Sequence, residues 1–169
     1  MRVLFITDRL PYPPISGDRI RVYNLVRRIA AKHEVWVASL MEGVPAVAEI
    51  DHLKEFCAGL ITELYPRMHK LAHLPGLLRY GLTGKPLELK FHYSDMFAAQ
   101  IRRLTDAVRF DVVHIEQSCM APYIEVLGTS HPSKHLLAFQ NTTCDQYAQI
   151  SRLRIGITRR ISARLNSCF

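Results

Sequence analysis

The sequence lacks most of the features that announce a function directly. None of its apolar runs approaches the roughly 18 residues of a membrane-crossing helix, so no transmembrane segment is expected. Its four cysteines, Cys57, Cys119, Cys144 and Cys168, are scattered without a C-x-x-C pair. That excludes a zinc ribbon and a disulfide framework and leaves buried thiols as the expectation. No G-x-G-x-x-G turn is present to approach a dinucleotide pyrophosphate, which argues against NAD or FAD. No G-x-x-x-x-G-K-[ST] loop occurs either. His69 and His73 have the i, i+4 spacing of a metal pair, but the glutamate of H-E-x-x-H is missing and no third ligand is marked. No metal is therefore expected. Asp8 and Pro11 interrupt the first apolar segment too early for a signal-peptide core, which points to the cytoplasm.

What is present fits one soluble domain over residues 1–169, with 49% hydrophobic and 22% charged residues. Four short apolar runs rich in β-branched residues predict buried parallel strands at Val3 to Thr7, Glu34 to Leu40, Phe110 to Ile115 and His135 to Gln140. A weaker fifth lies at Leu60 to Tyr65. Amphipathic helices are predicted around Val22, Leu25, Val26 and Ile29, around Met96, Ile101, Leu104 and Val108, and around Ile150, Leu153, Ile157, Ile161 and Leu165. Pro75, Gly76, Gly81, Gly84 and Pro86 break the pattern between Pro66 and Phe91 into a short helix and a loop. Strands alternating with helices predict an α/β, Rossmann-like parallel sheet with helices on both faces.

In such sheets ligands bind beyond the carboxyl ends of the strands. Three stretches place polar groups there. The first, "TDRLPYPPISGDRIR", is a loop stiffened by Pro11, Pro13 and Pro14 that leads into a helix. Ser16 or Asp18 can cap this helix, Gly17 permits close approach, and Arg19 and Arg21 stand beside the free amides. That set suits an anionic or hydroxyl-rich ligand, while a merely stiffened surface connection with solvated arginines explains it equally. The second, "FDVVHIEQS", offers His114, Glu116 and Gln117. His114 reads better as a hydrogen-bonded core residue, and Glu116 as the better ligand contact. The third, "LLAFQNTTCDQY", ends in Asn141, Thr142 and Thr143, of which Asn141 or Thr143 can cap the following helix.

The net charge is +7, and residues 143–169 carry five arginines against one acid. Such a surface attracts nucleic acid, anionic lipid or phosphorylated substrates. No aromatic interleaving or reading motif supports nucleic acid, which is not an expected partner. The amphipathic arginine-rich helix could instead dock on an anionic membrane or a partner protein, although its apolar stripe has no Trp or Phe anchor.

The stretch "PYPPISGDRIRVYNLVRRIAAKHEVWVASL" resembles the start of the amino-terminal domain of family-four retaining glycosyltransferases of the GT-B fold. Gly17 matches the first glycine of that family's pair, Leu25 and Ile29 its helix, and His33-Glu34-Val35 the opening of its second strand. "FDVVHIEQSCMAPY" is similar to its D-V-V-H strand and the small helix that follows. "LTGKPLELKFHYS" resembles the subgroup of exopolysaccharide sugar transferases.

The resemblance implies one half of a GT-B fold: an acceptor-side domain of an enzyme moving sugar from a nucleotide-sugar donor to a glycan or lipid-linked acceptor. It implies no metal and no cofactor beyond the donor, because helix termini and basic side chains stabilise the departing diphosphate. It also makes Gly17, Asp18, Arg19, Arg21, Glu116 and Asn141 substrate-binding candidates, and it singles out no catalytic residue. The sequence departs from the family in carrying Asp18 at the second glycine and Gln140 where many relatives have histidine. The donor-binding domain with its E-x7-E motif is absent, so the chain is expected to be inactive alone. A cytoplasmic protein, with a peripheral position at the inner membrane face left open, completes the expectation.

Overall fold

In the computed structural model, residues 1–65, 92–127 and 133–138 are described. They belong to one compact unit that runs over Met1–Pro66 and His92–Gln140. The elements in chain order are β1 (Arg2–Thr7), α1 (Gly17–Ala30), β2 (Glu34–Met41), α2 (Val47–Lys54), β3 (Gly59–Leu64), α3 (Asp95–Ala107), β4 (Val112–Glu116), a 3₁₀ helix (Ser118–Leu127) and β5 (Lys134–Ala138).

The five strands form one parallel sheet in the order β3-β2-β1-β4-β5. Side chains alternate between its faces, and each face has its own helices. Val3, Phe5, Val35 and Val37 pack on Val22 and Val26 of α1. Leu4, Ile6, Ala38 and Leu40 point to the opposite face, against Phe97 and Ile101 of α3 and Met120 and Tyr123 of the 3₁₀ helix. The expected α/β, Rossmann-like sheet with helices on both faces is therefore present. Burial of each such large apolar side chain contributes on the order of 1.5–3 kcal/mol.

Local signals explain where the helices lie. α1 carries Asp18 in its first turn and Arg27 and Arg28 in its last, which complements the helix dipole. α3 begins at Ser94, whose hydroxyl accepts the amide of Phe97 at 3.3 Å. α2, which strand and helix patterning did not single out, has eight residues and buries only Leu53. One buried position gives no periodicity to read. Its first turn is closed by the Glu49 carboxylate, which accepts the Ala46 amide at 3.3 Å.

The fourth strand is shifted relative to expectation. It runs from Val112 to Glu116 instead of Phe110 to Ile115. Phe110 lies ahead of it, fully buried and edge-on to Trp36 with ring centroids 5.3 Å apart. Asp111 fastens the amino-terminal ends of two strands: its carboxylate accepts the Arg2 amide at 2.7 Å, and its own amide donates to the Arg2 carbonyl at 2.9 Å. The predicted elements over residues 66–91 and 141–165 lie outside the described residues.

Gly59 pairs with Trp36 across β2 and β3, and the indole occupies the space that a Cβ at residue 59 would need. Gly59→Ala is expected to destabilise the fold by about 1–3 kcal/mol through overpacking. Urea unfolding followed by fluorescence of Trp36, the single tryptophan, measures this directly.

Candidate functional site

The strand order reverses direction between β1 and β4, so the crevice beyond their carboxyl ends is the topological switch point of the sheet. The loop from Asp8 to Ser16 leaves β1 at this point, with Asp8 bonded to Gln117 beyond β4. It is held down by apolar and aromatic contacts as well as by its prolines. Leu10 is buried with Leu53 and Tyr23, and the Tyr12 ring packs against His52 with centroids 4.2 Å apart. The Tyr23 hydroxyl is hydrogen-bonded to His52 Nε2 at 2.8 Å. The Tyr12–Pro13 peptide is cis.

Glu116 is only 1% exposed, which follows from the strand shift. As the last residue of β4, two after His114, it shares the α1 face of the sheet with that histidine. His114 stacks on Phe5 at 4.7 Å, as the pairing Phe5↔His114 requires. Its Nε2 is hydrogen-bonded to Glu116 Oε2 at 2.8 Å, and Arg21 of α1 donates to Glu116 Oε1. The carboxylate thus lies inside the protein, with one oxygen engaged by His114 and the other by Arg21, whose own side chain remains about half exposed. Glu116 reaches the mouth of the sheet through Arg21. His114 is the hydrogen-bonded core residue that its apolar setting suggested.

The other expected residues take different positions. Gly17 is the first residue of α1, and a Cβ there would meet nothing among the described residues within 4 Å. Ser16 stands at the N-cap with extended backbone, yet its hydroxyl makes no hydrogen bond to the helix amides. Burial alone would raise the pKa of Asp18. The neighbouring Ser16 hydroxyl, the amides of Asp18 and Arg19, and the Arg9 guanidinium outweigh burial and hold the carboxyl below its usual range. Asp18 and Arg19 line a narrow crevice with Thr7, Asp8, Arg9 and Gln117. Arg19 also faces a larger open cleft of about 190 Å³, shared with Arg9, Tyr12, Glu42 and Glu49. Asn141 lies outside the described residues.

Two residues acquire a place in the site that the sequence does not give them: Asp8, which is not among its candidates, and Gln117, which is named there beside Glu116 without a role. Asp8, the first residue after β1, is 6% exposed. Its Oδ1 accepts Gln117 Nε2 at 3.1 Å, its Oδ2 lies 3.7 Å from Arg9 Nε, and its carbonyl accepts the Tyr65 hydroxyl at 2.7 Å. Burial pushes the Asp8 carboxyl up to about 6, against the pull of Arg9 and His92. Gln117, the first residue after β4, has φ 74°. An L-residue held in this region stores roughly 1–2 kcal/mol of strain, and here the conformation turns the amide toward Asp8. Both residues are readable as the first polar position after a buried strand. Their pairing is visible only once β1 and β4 are known to be neighbours.

No protein-family model matches the chain, and neither does any curated protein sequence. Distant structural likenesses exist. Two structures of the C-terminal domain of a hydrogenase from Pyrococcus furiosus are 13% identical, with TM-scores of 0.47 and 0.46; the matches cover 81% and 82% of this chain and 90% of each domain. A UDP-glucosyltransferase from Polygonum tinctorium, described as capable of glucosylating indoxyl and solved with 3,4-dichloroaniline, is also 13% identical with a TM-score of 0.48. That match covers 86% of this chain and 31% of the enzyme. Likenesses this distant speak to neither activity nor ligand. No helix among the described residues is long and apolar enough to cross a membrane.

Two measurements follow. Arg21→Ala strips Glu116 of its charged partner and is expected to cost about 1–3 kcal/mol by urea unfolding, with most of that cost absent when Glu116 is already alanine. Folded Asp8 keeps its proton up to about pH 6, whereas an unfolded aspartate releases it near 3.8. The folded state therefore binds more protons in that window, and its stability falls as pH rises through it. Asp8→Asn is expected to flatten this slope and to raise stability at neutral pH by about 1–3 kcal/mol.

Proposed function

We propose that this chain is the acceptor-side domain of a glycosyltransferase that moves a sugar from a nucleotide-sugar donor onto a glycan or lipid-linked acceptor, in polysaccharide biosynthesis. The observation that carries the reading is the Arg21 guanidinium anchored by buried Glu116 at the switch point. The amino-terminal end of α1, with Gly17 and Arg19, lies on the same side of the mouth. A fixed cation at the positive end of a helix dipole recognises phosphate or a row of hydroxyls by charge and hydrogen bonding. The long loop from Asp8 to Ser16 does not form the tight glycine turn that a dinucleotide needs, which favours such an acceptor over NAD or FAD. The sequence resemblance to family-four glycosyltransferases supplies the reaction class, with the donor bound by a second domain across the cleft.

Gly17 gives this reading a specific test. No atom of the described residues requires a glycine there, so Gly17→Ala is expected to leave stability unchanged or slightly raised. If an acceptor approaches the helix terminus, the same substitution should weaken its binding about tenfold, or roughly 1.4 kcal/mol. Amide chemical-shift perturbation of the full chain, titrated with oligosaccharides, a lipid-linked sugar phosphate and nucleotide sugars, measures both the site and the affinity. Perturbations centred on residues 16–21 by acceptor-type ligands, weakened in Gly17→Ala and Arg21→Ala, are the expected result. Turnover of nucleotide sugars by this chain alone would overturn the acceptor-side assignment.

A second reading rests on the five arginines of residues 143–169, which could dock a Rossmann-like binding module on an anionic membrane or a partner protein. Co-sedimentation with anionic vesicles that fades as salt rises, without any response to sugars, would favour it.

A further inference from the structure

Three groups with metal-binding chemistry converge beside the switch point, from three separate segments. They are the carboxylate of Asp8 after β1, the imidazole of His92 ahead of α3, and the thiol of Cys119 in the 3₁₀ helix. One ligand atom from each lies within 4.8 Å of the other two. Among the described residues, no other three histidine, cysteine, aspartate or glutamate side chains meet in this way. We propose that Asp8, His92 and Cys119 bind a zinc ion, leaving one coordination position for water.

The donor set favours this metal. A thiolate, an imidazole and a carboxylate suit zinc, whereas magnesium and calcium take oxygen ligands. Ligand atoms around a tetrahedral zinc stand roughly 3.3–3.8 Å apart, given bonds of about 2.0–2.3 Å. From a spacing of up to 4.8 Å, the side chains need to close by roughly 1.5 Å at most. Three protein ligands with one open position is the arrangement of catalytic zinc sites, while structural sites are closed by four. The same residue types also make up nucleophilic triads. Cys119, however, is only 3% exposed, which denies a substrate carbon access to its sulfur.

The surroundings orient the ligands. The Tyr65 hydroxyl holds the Asp8 carbonyl at 2.7 Å, and its ring meets the edge of His92 with centroids 5.4 Å apart. The Tyr123 hydroxyl donates to the His92 carbonyl at 2.8 Å, and Gln117 holds Asp8 Oδ1. Such outer contacts commonly change metal affinity 10–100-fold. Binding would release the Cys119 thiol proton to solvent, together with the Asp8 proton where that carboxyl is still protonated. His92 is half-buried and gives the ion a path from solvent. This site does not depend on the sugar-binding reading, since its test uses the metal alone.

The full chain, stripped with a chelator, should be titrated with Co²⁺ as a spectroscopic substitute and then with Zn²⁺. One equivalent is expected to bind, with a thiolate-to-cobalt charge-transfer band that zinc displaces. Cys119→Ser should abolish the band, and Cys57→Ser, whose thiol lies elsewhere in the core, should retain it. His92→Ala should weaken zinc about tenfold or more, with circular dichroism confirming that the variant folds. If Cys119→Ser fails to fold, a loss of affinity in His92→Ala together with the band in the parent chain supports the site. Absence of the band in the parent chain overturns the proposal, as does a band and affinity unchanged in His92→Ala.

Discussion

The charge of Glu116 is the constraint around which the mouth of this sheet is built. A carboxylate with 1% exposure is costly unless its oxygens are satisfied, and the strand order makes that possible. β4 lies directly beside β1, and α1 packs across the face that Glu116 shares. Arg21 from α1 and His114 from the same strand engage the two oxygens. Once this contact is made, the first turns of α1 cannot slide along the sheet without uncovering a buried charge. The amino terminus of the helix and the proline-rich loop that leads into it are thereby held at the switch point.

The two carboxylates of this mouth have been separated by environment. Glu116 faces α1, where Arg21 and His114 engage its two oxygens. Asp8, one strand away, has Gln117 and Tyr65 on its polar groups, with Arg9 at the longer distance of 3.7 Å. Burial dominates there, and the carboxyl stays protonated to about pH 6. One acid thus anchors a cation. The other sits poised in a crevice that also contains Arg19, Asp18 and the strained Gln117. Sites that bind or react commonly hold an ionisable group with a displaced pKa, as Asp8 is here.

The opposite end of the sheet has a different character. Asp111 accepts the Arg2 amide there, and Arg2 pairs with Glu34 at 3.2 Å across β1 and β2. These contacts join strand ends at exposed positions and leave no buried charge behind. The polarity of parallel strands therefore assigns the two ends separate tasks, fastening at the amino ends and presentation of polar side chains at the carboxyl ends.

Most of the fold was legible in the sequence because a doubly covered parallel sheet needs short, continuous apolar strands, and β1, β2, β3 and β5 carry that signature within a residue or two. α1 and α3 were readable from their stripes, whereas α2 was not, because a helix that buries one leucine leaves no period. The sequence also identified the loop at residues 8–16 and the candidate residues around Gly17 and Arg21. It could not establish that Glu116 is buried within the strand, because where a strand ends and what covers that end are set by its neighbours in the sheet. Nor could it bring Asp8 to Gln117, 109 positions apart, or gather Asp8, His92 and Cys119. Those meetings depend on which strands are neighbours and on how α3 and the 3₁₀ helix seat against them. Local sequence encodes periodicity and turn chemistry, while proximity across the chain arises only when the sheet has ordered its strands.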